Sequence, residues 1–541
     1  MNLTQYLREF SKQNGFLSAF LILRDFVLML AGLASANALT ALVHLHLQSF
    51  LIWMLLEITA YTFYCFSLYI QDYYSSKIIQ RMDTAIRRDI AKRISQSSYQ
   101  DYHAKNDAVY TSWMTNDINT INQNGFNNFY DLVDNTANII FGAAALLFYH
   151  YSFIVTVAML SVATLLAPNV FKKRLDQASL EMTQGSEKLT DQLTDTLEGF
   201  NPLYMMNLTR RIVAKVLTAS DHLAEKNNHY AKIYGTMSAS VNGISVASQL
   251  IVVIQTGILV FLKLIPIGSI VATENFAGSV FSGITGNSQT LIAMKATRPI
   301  FDKFRQLPIQ QQQSSRSAVA LQQSLQLKSV SFSYQGQPIL KQANLVLEKG
   351  RKYALIGASG AGKSTLLNLL NTKLTNYQGS LLFDHDNYRD LSSASIREQI
   401  YYLDQDPYIF NDSLTNNITM NQAIGDDLLK HAIEEAGLQP LIDRLPDGLD
   451  TQLSHDGADL SGGQKQRIVL ARGLVSGRTI FLVDEGTSAL DRQSAEKIED
   501  SLISNPKITL LMITHHLRTA TANRLDQIYT IRDHVLYPET D

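Results

Sequence analysis

Residues 357–364, GASGAGKS, place glycine, lysine and serine at the spacing G-x-x-x-x-G-K-S. Glycines in this pattern let backbone N–H groups approach phosphate oxygens closely, because no Cβ stands in the way. Lys363 is placed to reach the β- and γ-phosphates of a nucleotide, and the Ser364 hydroxyl is placed to ligate Mg²⁺. An apolar run at 352–356 and a helix beginning after the loop favour this hypothesis over an ordinary glycine-rich turn. The residues predicted to bind the phosphates are Gly357, Ala358, Ser359, Gly360, Ala361, Gly362, Lys363, Ser364 and Thr365.

Two carboxylates follow a second apolar run, which covers 480–483. A fully buried strand delivers its last residues to the edge of the sheet, where the phosphates lie. Asp484 suits a Mg²⁺-associated role there, and Glu485 suits polarising the attacking water. A further apolar stretch, ITLLMITHH, ends at His515, which is placed to sense or stabilise the γ-phosphate. A histidine after a strand is more often structural, but these neighbours favour the catalytic role.

The stretch LSGGQKQR at 460–467 places Ser461, Gly462, Gly463 and Gln464 just before or at the start of a predicted helix. Such a helix N-terminus is a second phosphate-binding site, about a hundred residues after the first. One nucleotide does not need two such sites from a single domain. The two stretches together predict a dimer, in which each nucleotide lies between the phosphate loop of one copy and the LSGGQ segment of the other.

The composition predicts that a membrane region precedes these motifs in the chain. Of the 541 residues 17% are charged, against roughly 25% in soluble domains, and the deficit is concentrated in the N-terminal part. The net charge of −2 gives no indication of nucleic-acid binding. The single cysteine, Cys65, excludes a disulfide framework and a cysteine-based zinc site. A lipid bilayer is therefore the predicted surrounding of the first half.

Six apolar stretches are long enough to cross a bilayer, each needing about 20 residues. Lysine and arginine precede the first stretch and follow the second, fourth and sixth, whereas the connections after the first, third and fifth carry almost none. By the positive-inside rule, both termini are predicted to be cytoplasmic. The predicted spans cover about 17–42, 48–70, 132–149, 152–170, 244–263 and 266–288.

Two segments between spans, at about 71–131 and 171–243, are too long for simple loops. Apolar residues at helical spacing, as in IIQRMDTAIRRDIAKRI, predict membrane helices that continue into the cytoplasm and return. Two small soluble insertions are the alternative. The expected fold is an all-α six-helix transmembrane domain followed by an α/β P-loop ATPase domain. The expected boundaries are 1–305 for the first domain, 306–324 for a Gln- and Ser-rich linker, and 325–541 for the second domain.

With these motifs the chain resembles the ATP-binding cassette (ABC) transporter family, specifically exporter-type half-transporters. The resemblance covers nearly the whole chain, and it implies ATP and Mg²⁺ as ligands and ATP hydrolysis coupled to transport. Tyr334 is similar to the aromatic residue that stacks on adenine, and Gln405 to the glutamine that links Mg²⁺ to the membrane-domain contact. Residues 199–206 resemble a coupling helix.

The same resemblance implies roles for the residues around the hydrolysis site. Glu485 is similar to the catalytic base and His515 to the switch histidine. The stretch SALD, which ends at Asp491, is similar to the loop that crosses the dimer. Every residue needed for hydrolysis is present, which favours a homodimer over a heterodimer as the functional assembly.

Four residues, at three places in the chain, depart from the family pattern. Asp404 precedes Gln405 where a proline is common, and Gly486 follows the glutamate where a small apolar residue or proline is usual. Ser454 and His455 stand where exporters commonly carry Gly-Glu. These departures bear on communication with the coupling helices and leave ATP binding intact.

Ionisable residues inside the predicted spans are candidate substrate-binding residues. Glu57 lies mid-span in the second stretch, and Glu274 lies with Asn275 in the sixth. They can bind a cationic or amine-bearing substrate, but interhelical hydrogen bonding or snorkelling explains them equally well. Arg24 and Asp25 lie in the first span. The transported compound stays open between a drug-like amphiphile, a lipid and a peptide.

The predicted function is ATP-driven export by alternating access, in a bacterial inner membrane, with the bilayer and a second half-transporter as partners. An importer built on the same architecture and an ATP-gated channel or regulator are the alternatives. A soluble cassette ATPase of the DNA-repair type is contradicted by the six spans and by the lack of a basic stretch for nucleic acid.

Overall fold

The computed structural model describes residues 1–308, 316–334, 336–486, 492–514 and 517–539. The chain divides into two compact units. The first unit comprises Met1–Ser95 and Lys105–Pro308, and the second comprises Gln96–Ala104 and Ile309–Asp541. In the described part of the chain, the first unit is helical and the second combines helices with two β-sheets.

Long helices make up the first unit. The α-helices up to residue 308 are, in chain order, α1 Leu3–Glu9, α2 Ser11–Val43, α3 Leu47–Ser95, α4 Tyr99–His103 (which belongs to the second unit), α5 Asp107–Ser112, α6 Ile118–Ile121, α7 Asn128–Tyr149, α8 Ser152–Leu166, α9 Lys172–Glu198, α10 Phe200–Met205, α11 Arg210–Phe261, α12 Ser269–Ala296 and α13 Arg298–Arg305. Two π-helical turns, Trp113–Asp117 and Asn122–Asn127, join α5, α6 and α7.

Two of these helices are far longer than a membrane is thick. α3 has 49 residues and α11 has 52. At 1.5 Å per residue each is more than 70 Å long, against a hydrocarbon core of about 30 Å. Their polar ends therefore extend well beyond any bilayer that their apolar parts cross, which confirms the predicted helical extensions.

Five helical stretches are long and apolar enough to cross a membrane, within the residues that the structure describes. They are Ser11–Val43, Leu47–Ser95, Asp107–Tyr149, Ser152–Val170 and Arg210–Phe261. The predicted sixth span falls on α12, which is long enough but too polar on average to be one of the five. The physical reason lies in the packing of α12, which is enclosed by α2, α7, α8 and α11 and so has less surface for lipid.

Small residues let α12 approach α7 closely. A Cβ on Gly283 would come within 2.9 Å of the Asn135 backbone oxygen, and a Cβ on Gly142 would come within 3.1 Å of the Phe276 backbone oxygen. Close helix packing of this kind gains van der Waals contact where the hydrophobic effect between helices is weak. α12 thus belongs to the core of the helical unit.

The second unit has two sheets. Its strands are β1 Ser324–Tyr334, β2 Gln337–Glu348, β3 Lys352–Gly357, β4 Gln378–Phe383, β5 Asp386–Asn387, β6 Ile400–Leu403, β7 Ile480–Asp484, β8 Thr509–Ile513, β9 Gln527–Arg532 and β10 Val535–Pro538. Its further helices are α14 Lys363–Leu370, α15 Ser393–Gln399, α16 Leu414–Thr419, α17 Asp426–Glu435, α18 Gln439–Ile442, α19 Gly462–Val475, α20 Arg492–Ser504 and α21 Thr519–Ala522.

The larger sheet has the order β10-β9-β3-β8-β7-β6, with β10 antiparallel and the other strands parallel. The smaller, antiparallel sheet has the order β2-β1-β4-β5. All five residues of β7 are buried, and they alternate between two cores: Leu482 packs with the smaller sheet, and Phe481 and Val483 pack with the helices around α19. The carboxyl ends of β3, β7 and β8 consequently meet at one edge, where α/β folds bind ligands.

The two compact units divide the chain differently from the expected domains in two places. Gln96–Ala104 belongs to the second unit, whereas the sequence pattern placed it within the membrane domain. Ser98 caps α4 by accepting from the Asp101 backbone N–H at 3.1 Å. The end of the expected linker also belongs to this unit, since the Ala318 N–H donates to the Ser395 hydroxyl at 2.7 Å.

Candidate functional site

The phosphate loop connects β3 to α14 in a conformation that its glycines permit. Gly357, Gly360 and Gly362 have φ values of 149°, 78° and 104°, which other residues adopt at a cost. A Cβ on Gly357 would meet the Ile531 backbone oxygen at 2.9 Å, and one on Gly362 would meet Ile339 Cγ2 at the same distance. Residues 358–360 are exposed, so the loop's backbone is open to a ligand.

Lys363 is the first residue of α14 and points back along the loop. Its Nζ donates to the backbone oxygens of Gly357 and Ala358, each at 3.0 Å, and its side chain is buried. The ammonium is therefore held inside the loop, where the pattern predicts that it meets phosphate. The N-terminus of α14 adds its own partial positive charge at the same place.

Asp484 ends β7 beside the phosphate loop. Its carboxylate accepts hydrogen bonds from the Ser364 hydroxyl and, at 3.1 Å, from the Tyr402 hydroxyl. Burial raises the pKa of Asp484, and these two hydrogen bonds act in the opposite direction. The Ser364 and Asp484 oxygens are the hard donors that Mg²⁺ prefers, so this pair fits the predicted cation. Tyr402 was not predicted; the only sequence signal was its place three residues before Gln405.

Glu485 lies just beyond the strand, with its backbone in the left-handed region at φ 51°. A non-glycine residue there is uncommon and characteristic of functional sites. The Gln405 side-chain N–H donates to Glu485 Oε2 at 3.1 Å. The structure thus joins the predicted catalytic base to the predicted Mg²⁺-linking glutamine, and Gln405 and Glu485 both lie next to strand ends of the same sheet.

Gly486, one of the departures from the family pattern, has a steric reason in this chain. A Cβ at this position would lie 2.2 Å from Leu403 Cδ2 and 2.7 Å from Val483 Cγ1. Because Leu403 and Val483 are paired across β6 and β7, neither can move far. The glycine therefore accommodates the packing below the catalytic glutamate.

The LSGGQ segment forms a capped helix N-terminus. Ser461 accepts from the Gln464 N–H at 3.3 Å, and Gln464 Oε1 accepts from the Ser461 N–H at 2.7 Å. This reciprocal pair is a capping box, which the S-x-x-Q spacing could have predicted. Ser461 and Gly462 are exposed and Gly463 and Gln464 half-buried, so the segment faces outward from its own unit. An outward-facing position is what a nucleotide shared with a second copy requires.

Tyr334 ends β1 with its side chain 46% exposed, and its ring packs edge-on against Phe332 with 4.8 Å between centroids. The ring is thus partly accessible, as stacking on a base requires. Asp491 and His515 lie outside the described residues, and their predicted roles stay predictions.

The structure does not bring the candidate substrate residues together. Glu57 is half-buried on α3, whereas Glu274 and Asn275 are exposed on α12. In the part of the chain that the structure describes, no hydrogen bond or ion pair joins these three side chains.

The charged pair of the first span has a clear structural role. Arg24 and Asp25 are both buried, and Arg24 Nε donates to Asp25 Oδ1 at 3.0 Å. The same guanidinium also pairs with Asp134 and Gln71, so it ties α2 to α3 and α7. Asp134 and Gln71 were not singled out in the sequence, because their pairing depends on how the helices pack.

Two protein-family models match the chain. The model described as "ABC transporter transmembrane region" matches residues 16–285, and the model described as "ABC transporter" matches residues 340–488. The chain belongs to the ABC transporter family. In this ABC transporter chain a helical membrane domain precedes the α/β ATP-binding domain, or cassette, which confirms the predicted family and fold class.

Relatives and a solved structure agree with this membership. An "ATP-dependent lipid A-core flippase" of Hahella chejuensis is 39% identical over 226 residues, which are 40% of this chain and 38% of that protein. A protein of the same name from Alcanivorax borkumensis is 26% identical over 473 residues, 84% of this chain and 79% of that protein. The chain thus spans well under half the length of the Hahella relative. A solved "bacterial Atm1-family ABC exporter with ATP bound" has a similar fold, with a TM-score of 0.84 at 19% identity, covering 98% of this chain and 95% of that one.

Proposed function

We propose that this chain is an ATP-hydrolysing transporter that moves a lipid or lipid-like amphiphile across a membrane. The observation that carries the proposal is the arrangement of Ser364, Asp484, Gln405 and Glu485 around the phosphate loop in a chain whose other half is membrane helices. Such a site binds and hydrolyses a nucleoside triphosphate. The membrane helices fused to it are the part of the chain that can use the free energy of hydrolysis for transport.

Each residue has a task that its contacts support. Lys363 and the loop N–H groups hold the phosphates, and Tyr334 stacks on adenine. Ser364 and Asp484 hold Mg²⁺, which neutralises charge on the phosphates when it is bound. Glu485, oriented by Gln405, polarises the attacking water. Two further residues belong to the proposed site. Asp491 lies in the proposed dimer-crossing loop, and His515 contacts the γ-phosphate.

A second half-transporter is part of the proposal. Ser461, Gly462, Gly463 and Gln464 form the outward-facing helix N-terminus that would bind the nucleotide of the partner. Because this chain carries both the phosphate loop and this segment, two identical copies make two complete sites. A homodimer is therefore the proposed assembly, and a heterodimer is the alternative outcome.

A lipid is the proposed cargo because of the relatives. The Hahella and Alcanivorax proteins both carry the name of a lipid A-core flippase, and the second matches most of this chain. The proposed cargo is a class of compound, namely an amphiphile with acyl chains. The proposed location is an inner bacterial membrane with both termini and the cassette in the cytoplasm.

Export is the proposed direction of transport. To test it, the purified chain is reconstituted in liposomes with its cassettes facing outward, and fluorescent lipids are placed in one leaflet at a time. The exchange of these lipids between leaflets is then followed with and without Mg-ATP. Lys507→Met serves as the matched control, since Lys507 is an exposed cassette lysine. We expect ATP to move lipid from the cassette-facing leaflet to the other leaflet, and Glu485→Gln to abolish the movement.

Other outcomes would replace parts of the proposal. Movement toward the cassette-facing leaflet would indicate an importer. ATP turnover without lipid movement would mean that the cargo is not a lipid of the tested class, and ATP-dependent ion current without proportionate turnover would indicate a channel.

A further inference from the structure

The segment Gln96–Ala104 contacts the cassette through an aromatic ring. This segment follows α3, the helix that carries the second predicted span, and Tyr99 stands at the start of its short helix. The Tyr99 ring stacks on His103 with 3.9 Å between centroids. Lys373 Nζ lies 5.1 Å from the centroid of the Tyr99 ring, within the range of a cation–π interaction.

Lys373 meets a second ring and a carboxylate on its other side. Its Nζ lies 4.1 Å from the centroid of Tyr402 and 3.5 Å from Asp404 Oδ2. The Lys373 side chain is only 17% exposed. Lys373 thus bridges two rings and a carboxylate, and its ammonium is attracted to all three groups.

The second ring leads directly to the hydrolysis site. The Tyr402 hydroxyl donates to Asp484 Oδ2 at 3.1 Å, and Asp484 also accepts from Ser364. Gln405, three residues after Tyr402, donates to Glu485. The stretch 402–405 thus contacts both carboxylates that follow the buried run of β7.

Asp404 explains one departure from the family pattern. A proline at this position could not pair with an ammonium, whereas Asp404 accepts the Lys373 ammonium as an ion pair. Lys373 itself lies just beyond α14, the helix that begins at the phosphate loop, and the adjoining Thr372 hydroxyl accepts from Arg397 at 2.9 Å. The turn that carries Lys373 is therefore anchored on the cassette.

We propose that Lys373 is a positioning residue that couples the segment Gln96–Ala104 to the ATP site, through Tyr99 on one side and Tyr402 on the other. The coupling rests on the proposed function in one respect, that this site binds and hydrolyses ATP. It does not depend on the identity of the cargo. By linkage, ATP binding that shifts Asp484 and Tyr402 must alter the stability of the segment, and loss of the segment's ring must alter the ATP site.

The test measures hydrogen–deuterium exchange of the full chain in nanodiscs, with and without Mg-ATP, in a Glu485→Gln background that retains the nucleotide. We expect Mg-ATP to slow exchange of the backbone amides of the segment by about fivefold or more. Lys373→Met, which removes the charge at similar length, should abolish this difference. Lys373→Arg should retain it, because a guanidinium also binds aromatic faces, and the exposed Lys507→Met should leave it unchanged.

A second pair of variants approaches the coupling from the other side. Tyr99→Ala, in a chain with Glu485 intact, should lower the kcat of ATP hydrolysis about threefold to tenfold with the KM for ATP within about twofold. Tyr99→Phe keeps the ring and should hydrolyse ATP at the wild-type rate. This pair decides the question if Lys373→Met does not fold.

Two results would overturn the coupling. One is ATP-dependent protection of the segment that persists in Lys373→Met; the other is a Tyr99→Ala variant with unchanged kcat. Neither readout uses a transported compound, so a chain that protects the segment but moves no lipid would refute the cargo and leave the coupling standing. If the chain moves lipid but Lys373→Met keeps the ATP-dependent protection, the coupling is refuted and the proposed cargo stands.

Discussion

The cassette and the membrane region hold their polar groups in different ways. In the cassette, Ser364, Asp484 and Glu485 lie at the ends of secondary-structure elements beside the phosphate loop, where Asp484 accepts from Ser364 and precedes Glu485 in the chain. In the membrane region, Arg24 is buried and fully engaged with neighbouring helices. Position at a strand end therefore distinguishes chemistry from scaffolding in this chain better than charge alone does.

The largest expected effect is in the membrane region. Arg24→Leu leaves Asp25 buried without its cation, which costs about 3–5 kcal/mol of stability. We expect a large fall in the melting temperature of the purified protein, and partial recovery in the Arg24→Leu/Asp25→Asn double variant. Arg211→Leu, at an exposed arginine of the same unit, should melt like the wild type. An unchanged melting temperature for Arg24→Leu would remove the scaffolding role.

In the cassette, Lys363→Met should act on binding and leave folding intact. Loss of a charged contact to phosphate is expected to weaken ATP binding about 10- to 100-fold. Titration with a fluorescent ATP analogue measures this affinity, with Lys507→Met as the control. If Lys363→Met binds ATP as tightly as the wild type, the assignment of the phosphate loop is wrong.

Gly486→Ala tests packing below the catalytic glutamate. The added Cβ would overlap Leu403, and overpacking of this kind costs about 1–3 kcal/mol. The variant should melt earlier and hydrolyse ATP more slowly, and Leu403→Ala should restore part of both. Gly425→Ala is the matched control, since a Cβ there would meet no atom within 4 Å. Equal behaviour of the two alanine variants would show that the glycine is dispensable.

The smallest expected effect concerns Asp83 on α3, in the helical extension beyond the predicted second span. Burial raises the pKa of this carboxyl, and Asn122 donates to it at 2.9 Å. A pKa raised in the folded state means that stability falls as pH increases from the unfolded pKa through the folded one. Asp83→Asn should therefore raise the free energy of unfolding at pH 7, and the gain should shrink as the pH falls toward the ordinary aspartate pKa of about 4.

Melting curves across that pH range would measure the Asp83 effect, with Asp221→Asn at an exposed aspartate as the control. A stabilisation that does not change with pH would show that burial of the ionised Asp83 carboxylate is not its cause.

Much of the fold followed from the sequence because its signals are local. The phosphate loop and the buried runs before Asp484 and after residue 508 are each legible within about ten residues. The contact from Tyr402 to Asp484 was not legible, since it depends on the parallel register of β6 and β7. The place of Gln96–Ala104 was hidden for the same reason: its partner Lys373 is more than 250 residues away in the chain.

In the membrane region, the positions of the helices along the chain were predictable, whereas the contacts between helices were not. Hydropathy predicted where its helices run, including the stretch of α12, although α12 is too polar on average to count among the five most apolar helical stretches. Hydropathy carried no information on which helix faces meet, so the pairing of Arg24 with Asp134 and the exposure of Glu274 required the structure.

The ATPase rate of the purified chain alone in nanodiscs, wild type beside Glu485→Gln, is the decisive measurement. We expect steady hydrolysis by the wild type and a rate at least about 100-fold lower in the variant, because a general base contributes factors of about 10² to 10⁴. An inactive wild type would contradict the claim that two identical copies make complete sites. A Glu485→Gln variant that hydrolyses ATP at the wild-type rate would contradict the assignment of the catalytic base.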